Sequence, residues 1–141
     1  MSTQAILLPL FVEVLLTFGL MFGMMYHRTS SLRRKEVRLS DIAMREPNWP
    51  YLPTLFANAF SNQFELPVLF YVLTILEYVT RHADFIFVVL AWIFVLLRVM
   101  QALVHVIDNN VSRRGAFYGL GALVLFAMWI IFMVRILLGL P

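Results

Sequence analysis

Four stretches of the chain, roughly Ala5–Tyr26, Thr54–Val79, Asp84–Ile107 and Arg114–Gly139, are long and apolar. Each reaches the roughly 20 residues that a helix needs to cross the hydrocarbon core of a bilayer. Inside lipid a backbone must satisfy its own hydrogen bonds, so such stretches fold as helices. The expected fold is all-α and integral to the membrane: one domain, 1–141, built as a four-transmembrane-helix bundle. Composition points the same way. The chain is 62% hydrophobic and 13% charged, whereas soluble domains carry about a quarter charged residues.

The links predict how the crossings are arranged. Arg81–Ala83 and Asn109–Arg113 are short, which makes the second, third and fourth crossings antiparallel neighbours. The first link, 27–53, is long and polar, with RRKEVR at Arg33–Arg38 and prolines at 47, 50 and 53. Its end, EPNWPYLP, carries Trp49 and Tyr51 and suits a segment lying at headgroup level. Arg28, Arg33, Arg34, Lys35, Arg38 and Arg45 in the first link, with Arg113 and Arg114 in the third, make eight of the eleven Lys and Arg. The positive-inside rule places these links in the cytoplasm and both termini outside, and the terse loops point to a bacterial inner membrane. The net charge of +3 is thus a matter of topology, and no nucleic-acid partner is expected. Met1–Gln4 has no basic n-region and no A-x-A-like site follows, so the first apolar run is expected to stay as a span. Without cysteine there is no disulfide, thiolate nucleophile or Cys-based metal site. No nucleotide loop, HExxH, GxSxG or metal-ligand spacing is present.

Function is sought in the polar residues held at membrane depth, where such groups are costly. NAFSNQFELPVLFYVL at Asn58–Leu73 carries Asn58, Asn62 and Glu65 at i, i+4 and i+7, one face of a continuous helix. Pro67 is expected to kink that helix beside Glu65. Arg98, Gln101 and His105 share a face of the third crossing, with Asp108 continuing the line. Counting from the cytoplasmic ends, Glu65 lies roughly 16 Å deep and Arg98 roughly 14 Å deep. An Arg98–Glu65 ion pair is therefore expected, either as a plain tether or within a polar pocket lined by crossings two to four. Arg114 and Tyr118 share a face of the fourth crossing, and Gly115, Gly119 and Gly121 allow close helix approach. Elsewhere, a Glu13–Arg135 pair, within or between subunits, and a cap made by Glu77, Tyr78 and Arg81 are expected on the outer side.

Taken in order, NQFE at Asn62–Glu65, RVMQALVH at Arg98–His105 and RGAFY at Arg114–Tyr118 give the chain a resemblance. With the four spans and the long basic first loop, it resembles the membrane-associated proteins in eicosanoid and glutathione metabolism, the MAPEG family. The resemblance implies a homotrimer of four-helix subunits, with glutathione bound between neighbours near the cytoplasmic side and lipophilic small molecules arriving through the bilayer. By that resemblance Arg28, Asn62, Glu65, Arg98, Gln101, His105, Arg114 and Tyr118 fall on glutathione-contact positions. Arg114 is the first candidate to stabilise the thiolate and Tyr118 the second. Asn58 and Ser61 stand where many catalytic members have arginines, and His105 where a tyrosine is common.

Three functions are thereby in view. One is a glutathione-dependent transferase or peroxidase acting on lipophilic electrophiles or lipid hydroperoxides. Another is a non-catalytic, lipid-binding membrane protein of the same architecture. The last is a small proton-coupled exporter built on Glu13, an acid in the first of four spans.

Overall fold

A computed structural model describes residues Met1–Pro141. It is helical throughout and has no strands. In order the elements are α1 (Thr3–Arg33), α2 (Leu39–Ile42), α3 (Tyr51–Asn62), α4 (Leu66–Val79), α5 (Phe85–Leu103) and α6 (Val111–Leu137). A π-helical turn, Val104–Asp108, extends α5. Four crossings result, Thr3–Arg33, Tyr51–Val79, Phe85–Asp108 and Val111–Leu137, each long and apolar enough to traverse a bilayer. The chain is a multi-pass integral membrane protein.

Short polar side chains set where three of the helices begin. Ser2 Oγ accepts from Ala5 N at 3.1 Å, Asp84 Oδ1 from Phe87 N at 2.9 Å, and Asn110 Oδ1 from Arg113 N at 3.1 Å. Each satisfies a backbone donor that the first helical turn leaves unpaired. α1 runs well past the apolar stretch, as far as Arg33. HRTSSLR is too polar for lipid but contains no helix breaker, so the helix continues until Lys35 adopts φ 59°.

The second crossing is broken rather than kinked. Gln63, Phe64 and Glu65 leave the helix through bonds to the carbonyls three residues back, at 3.0, 3.0 and 3.3 Å. α4 restarts at Leu66 with Pro67 in its first turn, where a missing N–H costs nothing. The shared face of Asn58, Asn62 and Glu65 is therefore lost. Asn58 and Glu65 are exposed, and Gln63 is the buried residue of this stretch. Its Nε2 donates to the Ala59 carbonyl at 3.0 Å.

The core lies where α4, α5 and α6 meet, with Ile6 of α1 on its margin. The rings of Phe70 and Phe94 stack at 4.9 Å between centroids and have no exposed surface. A smaller cluster, Leu20, Ala59 and Ala102, joins α1, α3 and α5 toward the basic loop. Large apolar side chains such as Leu15, Phe22, Leu123 and Phe126 point outward, where lipid is their solvent. Gly121 packs on Phe94, since a Cβ there would lie 3.8 Å from the ring, but Gly115 and Gly119 have no neighbour within 4 Å of that position. Of these three, only Gly121 brings helices close within one chain.

Gly23 has the tightest surroundings of the six glycines. A Cβ there would lie 2.5 Å from two ring carbons of Phe56 on α3. That ring is also held by His27, whose centroid is 4.8 Å away. Gly23→Val is therefore expected to force α1 and α3 apart and to cost about 1–3 kcal/mol. A lowered unfolding midpoint in detergent would register it, and an unchanged midpoint would show that Phe56 moves freely.

At the end holding the termini, Arg135 gathers the chain. Its Nη1 donates to Asp84 Oδ2 at 3.2 Å and to the His82 carbonyl at 3.0 Å, while Nη2 donates to the Pro141 carbonyl at 2.7 Å. The expected Glu13–Arg135 pair does not form within one chain, because the α5 N-cap and the chain end already occupy this guanidinium. Nor is Glu77 a surface cap. It is buried, while its neighbour Tyr78 meets Thr3 through their hydroxyls at 3.2 Å.

Candidate functional site

Arg98 organises the polar interior. Its side chain is 1% exposed, so each of its donors needs a partner within the protein. Nη1 donates to Gln101 Oε1 at 2.6 Å and Nη2 to the Asn62 carbonyl at 3.0 Å. The second bond closes the C-terminal end of α3, where the break leaves carbonyls free and the helix dipole is negative. On its other side the guanidinium lies 5.8 Å from the centre of the Tyr118 ring, within the range of a cation–π contact. One residue of the third crossing thus ties together the second and the fourth.

A second pair lies further toward the basic loop. The π-helical turn carries His105, which is buried. Its Nε2 is 3.0 Å from Arg114 Nη1 in the first turn of α6. A guanidinium can only donate, so Nε2 accepts. His105 Nδ1 and Arg114 Nε are buried and have no partner. Asp108, at the end of the same turn, is exposed and bonds Arg113 at 3.3 Å. No group of three or more His, Asp or Glu is placed to hold a metal ion.

The structure brings Asn62, Arg98, Gln101 and Tyr118 together, and His105 with Arg114. It does not bring Glu65 or Arg28 to them. The Glu65–Arg98 ion pair is absent from the salt bridges of the chain. The break at Gln63–Glu65 turns Glu65 to the surface, and Arg98 bonds neutral oxygens instead. Arg28 lies beneath Trp49, with Cζ 4.8 Å from the ring centre. It lines a cavity of about 520 Å³ between α1, α3 and the loop, which no other predicted glutathione-contact residue lines. The polar pocket expected among crossings two to four is, in one chain, a packed cluster.

Glu13 lies in the outer half of α1, as expected, but without its expected partner in the same chain. It has no exposed surface, and neither carboxyl oxygen has a hydrogen-bond partner. The depth count used for Glu65 could also have set it near the depth of Arg98. Glu13 lies ten residues into α1 and Arg98 thirteen into α5, roughly 15 and 20 Å from the end holding the termini.

Among known families, the profile of the MAPEG family matches residues 6–134. The chain belongs to the MAPEG family. No curated protein and no solved structure gives a match. The MAPEG match takes in all four crossings and the linking loops, so the broken second crossing and the Arg98 cluster both lie inside the family region.

Proposed function

We propose that this MAPEG protein is a glutathione-dependent transferase or peroxidase acting on lipophilic electrophiles or lipid hydroperoxides, assembled as a homotrimer with its basic loops in the cytoplasm. The observation that carries the reading is the His105–Arg114 pair beside the Arg98–Tyr118 cluster, which sets two guanidiniums and a phenol at the basic end of a lipid-embedded bundle. Buried nitrogens of Arg114 and His105 without partners are donors available to an anionic sulfur.

In this reading glutathione is a substrate. Arg114 stabilises the thiolate over the thiol, as a neighbouring cation does, and Tyr118 directs its hydroxyl to the same sulfur. The thiolate then forms a carbon–sulfur bond to an apolar electrophile as the leaving group departs with the electron pair. With a hydroperoxide, two molecules of glutathione are oxidised to the disulfide while the peroxide is reduced to alcohol and water. Asn62, Gln101 and His105 contribute polar contacts to the peptide. Arg98 holds them in place more than it binds, since its terminal nitrogens are already engaged. Glu65, exposed on a single chain, takes the ammonium group where a second copy packs against α3 and α4.

Turnover of a simple aromatic electrophile with glutathione is expected in detergent, and Arg114→Ala is expected to lower it by about 100-fold or more while the unfolding midpoint changes little. No turnover with any thiol would instead favour a non-catalytic lipid-binding protein. The exporter reading needs a carboxyl that water can reach, whereas Glu13 has no exposed surface.

A further inference from the structure

We propose that a notch between α4, α5 and α6, at the end of the bundle that holds the termini, binds the primary ammonium group of an aminophospholipid headgroup. Glu77 from α4, Asp84 at the start of α5 and Arg135 from α6 supply its polar wall, and Phe87, Leu90 and Met128 line it with apolar surface. The space is about 10 Å³, room for one water-sized group. No residue proposed to contact glutathione lines it.

Three observations point to a small cation that can donate. The first is an acid left without a partner. Glu77 is 2% exposed, and its Oε2 is buried with no hydrogen bond. A buried carboxylate oxygen is costly unless something donates to it. The second is the local charge. Arg135 is the one cation in the wall, and it is committed to Asp84 Oδ2, to the His82 carbonyl and to the Pro141 carbonyl. It forms no ion pair with Glu77. Ionised, Glu77 leaves the notch one negative charge in excess. It also lies two residues before the end of α4 at Val79, where the negative end of the helix dipole adds to the excess. The third is size. A water-sized space admits –NH3+, whose three N–H bonds suit carboxylate oxygens. A trimethylammonium is larger and has no N–H to give. A bare metal ion lacks ligands here, since no group of three or more His, Asp or Glu is placed to hold one.

The surroundings point to a lipid as its source. Ile86 and Ile131 line the notch and are themselves exposed, so it opens on the apolar outside of the bundle, where lipid is the solvent. From Ile86 an exposed apolar stripe runs down α5 through Val89, Ile93 and Leu96, at the i, i+3, i+7 and i+10 spacing of one helix face. An acyl chain lying along that stripe would bring its headgroup to Glu77 and Asp84. These acids flank the link between α4 and α5, which is the level of the headgroups and not of the hydrocarbon. Arg81 in that link is exposed and belongs to no ion pair, and it suits the phosphate that accompanies the ammonium.

The test uses the full chain in a maltoside detergent, titrated with short-chain phosphatidylethanolamine, short-chain phosphatidylcholine and free ethanolamine, with the unfolding temperature as readout. Phosphatidylethanolamine is expected to raise that temperature saturably and phosphatidylcholine to leave it unchanged. Glu77→Gln keeps the shape of the side chain and is expected to raise the half-saturating concentration at least tenfold. Glu36→Gln, an exposed acid in the basic loop, is expected to leave it within twofold. Ile131→Trp keeps every charge while crowding the mouth, and is expected to weaken binding several-fold, so the proposal stays open to test if Glu77→Gln fails to fold. An equal response to phosphatidylcholine would overturn recognition of the ammonium N–H groups, and an equal response to ethanolamine would overturn the lipid source. No response to phosphatidylethanolamine, or equal losses in Glu77→Gln and Glu36→Gln, would overturn the site itself.

Discussion

Arg98→Met is expected to lower the stability of the bundle by about 3–5 kcal/mol, the usual cost of removing one member of a buried charged group. The side chain does three jobs that a thioether cannot do. It caps α3 through the Asn62 carbonyl, it satisfies Gln101, and it packs against Tyr118. It is also the cation buried at a similar depth to Glu13, a carboxyl with no exposed surface and no hydrogen bond. With methionine in place, the Gln101 amide and the Glu13 carboxyl are left in a dry interior, and the Asn62 carbonyl keeps only the Glu65 N–H at 3.3 Å. Chemical or thermal unfolding in detergent measures the loss. The second replacement is diagnostic. Replacing a whole buried pair by apolar side chains is close to neutral, so adding Glu13→Leu to Arg98→Met is expected to restore much of the midpoint, a departure from additivity that marks direct coupling. Strictly additive losses would mean that Glu13 and Arg98 do not answer to each other, and that Arg98 matters only as a cap.

Phe94→Ala is expected to cost a similar amount, about 3–5 kcal/mol, through a different mechanism. Phe94 is wholly buried, stacks on Phe70 of α4, and lies within 3.9 Å of where a Gly121 side chain would begin on α6. It therefore keys three crossings at one point. Lipid removes the aqueous driving force between helices, so such packing carries much of their association. Truncation leaves a hole that Gly121, with no side chain of its own, cannot fill. Phe94→Leu is expected to lose only part of this stability. Phe126→Ala, on a ring that faces outward, is expected to be nearly silent. An equally small effect at Phe94 would mean that α4 and α6 are held by something other than this ring.

The crossings were legible in the sequence because lipid imposes a length and a polarity on each of them. The family was legible from short polar motifs in a fixed order. The Glu65–Arg98 pair was misread for one physical reason. Counting i, i+4 and i+7 presumes that the helix keeps its phase, and at Gln63–Glu65 it does not. Pro67 was visible as a disturbance, but whether a proline bends or breaks a helix depends on who takes the freed carbonyls. Here the takers are the side chains of Arg98 and Gln63, one from another crossing and one from the same helix. The end of α1 was placed too early because hydropathy marks where lipid ends and not where a helix does. The cavity at Arg28 and Arg45 could not be found along the chain at all. Its walls are assembled from three separate segments, one of them held by the left-handed backbone of Arg45.

The π-helical turn at Val104–Asp108 closes with Asn109 N on the Val104 carbonyl at 2.6 Å, and Asn109 then reverses the backbone at φ 50°. Such a turn closes across one residue more than an α turn does. The third crossing therefore carries a spare link at its loop-side end. A one-residue deletion there has somewhere to be absorbed: the rod would tighten into ordinary winding while the segments on either side keep their places. His105 would part from Arg114 before any apolar contact in the bundle had to change. The spacing of those two residues is thus set by local winding, and the geometry of the loop-side end can drift while the core around Phe70 and Phe94 stays as it is.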